Sequence, residues 1–145
     1  MSIEIDTASR NVLAARWSET ADKVVQLADE LPAQHYAFTP APEVRTAAEQ
    51  LRHVAFWNRY LAATLRGESP DGAANELPAA EFADKPRIIA ALRDSFGAAA
   101  AAIEASADPD ALAEHVTSYL QHNSEHYGQL VIYYRLNGLV PPASR

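Results

Sequence analysis

The chain has 145 residues, 48% of them apolar, which suffices for one domain with a buried core and gives no reason to expect two; a single domain over residues 1–145 is expected. Its formal net charge of −7 comes with scattered rather than clustered Lys and Arg, which argues against a nucleic-acid partner because phosphate binding depends on grouped cations. With no cysteine the chain has no disulfide, no thiolate metal site and no cysteine nucleophile, so any thiol chemistry must use an external thiol.

The opening "MSIEIDTASRN" lacks a cationic start followed by an apolar core, and no apolar run approaches membrane-spanning length. A cytoplasmic protein with no membrane partner is the expectation. From about Thr7 to Leu31, apolar residues recur at Leu13, Trp17, Ala21, Val24, Leu27 and Leu31, a spacing that makes one core-facing helical stripe. Pro32 ends it. After a loop with three prolines, Thr46 and Glu49 form a Thr-x-x-Glu capping box that starts a second helix running to about Arg66, with Gly67 as its stop. The segment "GESPDGAANELPAAEFAD", Gly67 to Asp84, has Gly, Pro and acidic residues without periodicity and reads as a long crossover. Asp84 can cap a third helix with a stripe of Ile88, Leu92, Phe96 and Ile103, ending before Asp108. A fourth helix starts near Pro109 or Asp110 and continues to about Asn137, where Gly138 and "PP" stop it. The sum is an all-α chain that suits a four-helix bundle, with the connection between helices two and three long enough to let two neighbours run parallel.

The fourth helix carries the chemistry. In "YLQHNSEHYGQL", His122 and His126 stand four residues apart, so both imidazoles share one helical face. At about 100° per residue, His115, Tyr119, His122, His126, Gln129 and Tyr133 fall near one line, an interior stripe that is polar. A hydrogen-bonded core explains any one of these side chains alone. For the pair, adjacent neutral imidazoles need partners and adjacent charged ones repel, and a divalent cation relieves both problems. His115 lies about 10 Å along the axis from His122, too far to share a metal with both others. His35 sits in the proline-rich loop and reads as loop packing. His53 is mid-helix in "EQLRHVAFWNRYL", at the edge of the apolar face of Val54, Trp57 and Leu61, where it can reach a facing helix. His53, His122 and His126 together give three nitrogen ligands and at least one open position, the pattern of catalytic rather than structural zinc sites.

"LRHVAFWNRYL", followed some sixty residues later by "LQHNSEHYGQLVIYYRLNGLVPPASR", resembles the DinB/YfiT-like superfamily, and the DinB branch most closely. The resemblance covers most of the chain and is poorest over the crossover, Gly67 to Asp84. It implies an up-down-down-up four-helix bundle, commonly dimeric, with one metal held by a histidine of helix two and an H-x-x-x-H pair of helix four, which correspond here to His53, His122 and His126. The family name refers to induction by DNA damage and not to DNA binding. Relatives include isomerases and S-transferases that use low-molecular-weight thiols. The resemblance therefore implies a homodimer with a small-molecule substrate and a divalent metal, zinc first and nickel or iron as alternatives, that activates a thiol or water nucleophile for S-transfer or hydrolysis. A non-enzymatic, stress-related, metal-binding dimer is the alternative.

Gln129, Tyr133 and Glu125 are the catalytic candidates: the first two lie on the ligand face, and Glu125 or Glu49 can accept a hydrogen bond from a ligating histidine. "HNSEH" also matches the H-x-x-E-H zinc-peptidase motif, which needs a further acidic ligand downstream. Only nineteen residues follow His126 and none is acidic, so a peptidase is not the expectation. Gly128, inside helix four, costs about 1 kcal/mol against alanine and is expected to permit close approach of a neighbouring helix or of the ligand sphere. Phe56, Trp57 and Tyr60 near His53 read as core before pocket wall.

Overall fold

A computed structural model describes residues 7–145; the stretch preceding Thr7, which carries most of the leader-free reading, lies outside them. Helices span Thr7–Glu30, Ala47–Leu65 and Lys85–Ala105. The fourth opens as Pro109–Ala111, passes through a π-helical turn, Leu112–Val116, and continues as Thr117–Leu136. No strand occurs among the described residues.

The expected start signals are in place. The Thr46 hydroxyl accepts from the Glu49 backbone N–H while the Glu49 carboxylate accepts from that of Thr46, the reciprocal pair of a capping box. Asp84 caps helix three through the Arg87 N–H, and Asp108 caps helix four through those of Asp110 and Ala111. Gly67 and Gly138 follow their helices at φ +80° and +71°, a left-handed region that costs glycine little.

Side chains that bridge helices fix the topology. Arg10 donates to the Ser106 carbonyl, Trp17 to that of Phe96 and Lys85 to that of Leu31, so helices one and three run antiparallel. Tyr133 reaches the Arg45 carbonyl and Asn123 reaches Asn58, so helices two and four are antiparallel as well. Helices two and three pair in ascending order, Arg52 with the Phe82 carbonyl and Asn58 with Ser95. Lys23 over the Tyr127 ring and Tyr134 on the Leu27 carbonyl set helices one and four parallel. The bundle is up-down-down-up, and the long crossover allows the parallel second and third helices to be neighbours.

The crossover is packed rather than loose. Arg52, itself buried, pairs with Glu76 at 2.9 Å and donates to the Phe82 carbonyl at 3.2 Å, tying both halves of the segment to helix two. Leu77 fills the space beneath.

Two expectations need correction. The π turn holds His115, and its extra residue breaks the regular 100° progression, so the polar line of helix four begins only at Tyr119. Gly128 faces outward: a Cβ there would meet nothing of this chain within 4 Å, so it serves neither an intrachain helix contact nor the histidines.

The apolar core runs through Trp17, Leu27, Leu51, Leu92, Ile103 and Tyr134. One polar layer crosses it. Asn123 donates to the Asn58 carboxamide oxygen at 3.0 Å, Asn58 donates to the Ser95 hydroxyl at 3.3 Å, and Ser95 donates to the Leu92 carbonyl at 2.8 Å, all fully buried. Asn58→Ala leaves the Asn123 amide buried without its acceptor, so a loss of about 1–3 kcal/mol in urea unfolding is expected. A change below about 0.5 kcal/mol would show the layer to be energetically idle.

Candidate metal centre

Helix two supplies His53 and Gln50, helix four supplies His122 and His126, and the antiparallel pairing brings them to one level. Ring centroids are 5.0 Å apart for His53 and His122, 4.7 Å for His53 and His126, and 4.6 Å for His122 and His126. One nitrogen from each lies within 4.8 Å of the other two. Two bonds of about 2.0–2.1 Å hold nitrogens at most about 4.2 Å apart, so small side-chain rotations bring all three within reach of one ion.

Hydrogen bonds settle which nitrogens face inward. His53 Nδ1–H donates to the Asn75 main-chain carbonyl at 2.7 Å, and His126 Nδ1–H donates to Gln50 Oε1 at 2.8 Å. Each Nε2 therefore carries a lone pair, and that of His53 points at His122 Nε2 across 3.0 Å. His122 Nδ1 is buried without a hydrogen-bond partner. A donor set of three imidazoles with two outer nitrogens held by oxygen acceptors fits a divalent ion of the zinc type, and the three histidines can bind one.

The outer acceptors are Asn75 and Gln50, where sequence reasoning pointed to Glu125 or Glu49. Glu49 is committed to its capping box, and Glu125 is exposed on the outer face, accepting from Gln121. Gln50 stands three residues before His53, so its proximity on the same face was available from the helical repeat. Asn75 was not, because it lies in the aperiodic crossover. Its φ of +59° is a conformation that asparagine tolerates better than most residues. Its side chain also accepts from the Trp57 indole N–H at 2.8 Å.

The other sequence candidates fall around the cluster. Gln129 lies beside His126 with an exposed side chain, and Tyr133 is buried with its hydroxyl donating to the Arg45 carbonyl at 2.5 Å. His35 sits in the turn Ala33–His35 beside Gln34, and neither it nor His115 joins the cluster. A cleft of about 510 Å³ opens onto the three histidines, walled by Trp57, Asn75, Ser118 and Tyr119.

The sequence profile of the DinB superfamily matches residues 16–134, a span that includes all three histidines. The chain is a member of the DinB superfamily. No curated protein sequence matches it. Among the described residues of this DinB protein, no helix is long and apolar enough to cross a membrane.

Without metal, all three imidazoles are poor bases. Burial is the main cause for each; His53 also pushes down His122, to about 4, and both neighbours push down His126, to about 3. Arg45 adds in the same direction. Because these values lie below the ordinary 6.5, the unfolded chain takes up protons first as pH falls. The stability of the metal-free protein is therefore full above about pH 6.5 and declines toward about pH 4. Urea midpoints should fall between pH 7 and pH 4.5, and fall less in a His122→Gln, His126→Gln double variant. Equal slopes would mean that the two imidazoles titrate in the folded chain as they do in water.

Proposed function

We propose that this DinB protein is a cytoplasmic metal-dependent enzyme of the thiol S-transferase or hydrolase type. In this reading His53, His122 and His126 hold one divalent ion, zinc first, with nickel or iron as alternatives. The observation that carries it is the convergence of three imidazoles from two helices, two of them locked by Asn75 and Gln50 so that their lone pairs face a common point. Such an ion, when bound with a position left open, supplies Lewis acidity toward a thiol or a water.

The chain's own residues do the rest. The Asn75 carbonyl and Gln50 hold two rings in one tautomer and one orientation. The cleft between Trp57 and Tyr119 admits a small molecule and limits the water that enters with it. Of the catalytic candidates, Gln129 stands beside His126 but lines a separate hollow with Arg45 and Gln50, the Tyr133 hydroxyl is spent on the Arg45 carbonyl and Glu125 faces outward, so none of the three lines the cleft. The absence of cysteine makes the thiol, where one is used, a small external molecule.

Replacing His53 with Ala removes a ligand from a different helix while leaving the helix-four pair intact. Zinc occupancy by elemental analysis should fall severalfold, with helical circular dichroism retained. His35→Ala and His115→Ala should keep full occupancy. Zinc-dependent turnover in a screen of thiol conjugates and esters would support the enzyme. Full occupancy without turnover would favour the non-enzymatic, stress-related metal-binding dimer.

We also propose a homodimer through the outer face of helix four. Ile132 and Leu136 are more than half exposed there, beside Gly128, whose open surface lets a backbone approach. A two-fold pairing of antiparallel copies centred between Gly128 and Ile132 would set Glu125 of each opposite Arg135 of the other. Light scattering should give twice the 15.8 kDa chain mass, and Ile132→Glu should return it to one chain. A monomeric native protein would contradict the pairing.

A further inference from the structure

The cleft beside the histidines has an unusual chemical lining. Among the described residues no Asp, Glu, Lys or Arg contributes to it; apart from the three imidazoles its wall is Trp57, Tyr119, Ser118 and Asn75. The Trp57 indole is fixed from several directions. Its N–H is held by Asn75 Oδ1 at 2.8 Å, the Phe56 ring meets it nearly edge-on at 5.2 Å, and the Tyr60 ring lies 4.8 Å away. The crossover backbone presses on its far end at Gly72, where an added Cβ would lie 2.9 Å from the indole carbon Cη2. Tyr119 stands next in the wall, with ring centroids 6.4 Å apart and planes inclined by 37°.

An aromatic surface held this way loses little conformational freedom when a ligand ring covers it, and flat π-systems gain from offset or tilted contact with it. A puckered saturated ring of the same size covers the same area without that contact. Resting on the reading of this cleft as the substrate site, we infer that it takes a substrate bearing a flat apolar ring packed against Trp57 and Tyr119. The crossover sets this preference through Gly72 and Asn75. Because the Asn75 carbonyl also receives the His53 Nδ1–H, one residue of the crossover positions both the specificity wall and a histidine of the metal centre.

The test uses the full chain as purified, labelled with ¹⁵N, and follows the two indole N–H signals, assigned with Trp57→Phe. The probes are 2-naphthol and decahydro-2-naphthol, two neutral alcohols of similar size of which only the first is flat. 2-Naphthol should shift the Trp57 signal and leave that of the buried Trp17 in place, and decahydro-2-naphthol should bind severalfold more weakly. Gly72→Ala, which displaces the indole, and Tyr119→Ala should each weaken 2-naphthol by about tenfold, and either variant that retains its helical spectrum decides the point. Equal binding of the saturated ring, shifts confined to Trp17, or no response up to the solubility of 2-naphthol would overturn the inference. The readout does not depend on turnover or on metal content. A neutral ring that binds at Trp57 in a protein that takes up no zinc would leave the cleft standing and remove the metal reading.

Discussion

Three imidazoles share a largely buried space in which none can take up a proton without placing a charge against two others. Burial holds all three below their ordinary basicity, and repulsion from neighbouring imidazoles adds to it at His122, near 4, and His126, near 3. The surroundings are built to keep them neutral and to aim them. Oxygen acceptors take the outer N–H of His53 and of His126, which leaves lone pairs directed inward. In a bundle core such an arrangement is costly by itself, and a cation shared among the three nitrogens offsets the cost.

The scaffold serves that constraint. Antiparallel pairing of helices two and four sets His53 beside the His122 and His126 pair, and the Asn58, Asn123 and Ser95 layer lies next to it as a polar check on register. Buried polar layers of this type specify one alignment because a slipped one leaves amides without partners. Arg52 fastens the crossover to helix two by its pair with Glu76 and its bond to the Phe82 carbonyl, and so holds Asn75 where it can reach both His53 and Trp57.

The helices were legible in the sequence because their signals are local. The Thr46 and Glu49 box, the Asp84 cap and the glycines at 67 and 138 act within one turn of where they stand, and the apolar stripes repeat at the helical period. The meeting of His53, His122 and His126 was legible for the same reason: two histidines four apart on one helix, and a third at the edge of an apolar face. What the sequence hid depends on long-range contacts. Asn75 acts through a main-chain carbonyl and a left-handed backbone in a segment without periodicity, so neither its residue type nor its spacing marked it. The π turn at Leu112–Val116 has no simple residue code, and without it His115 appeared to continue the polar line. Gly128 suggested close packing, which is the right physics for a mid-helix glycine, but its open side faces away from this chain.

The central claim is that three imidazoles of this cysteine-free chain bind one divalent ion. X-ray absorption at the zinc edge of the zinc-loaded protein tests it most directly, because outer-shell scattering from imidazole rings counts the histidines bound. The account predicts three imidazoles with oxygen completing the shell and no sulfur from the protein, falling to two in His53→Ala. A native spectrum with two or fewer imidazoles, or one unchanged by the loss of His53, would contradict it.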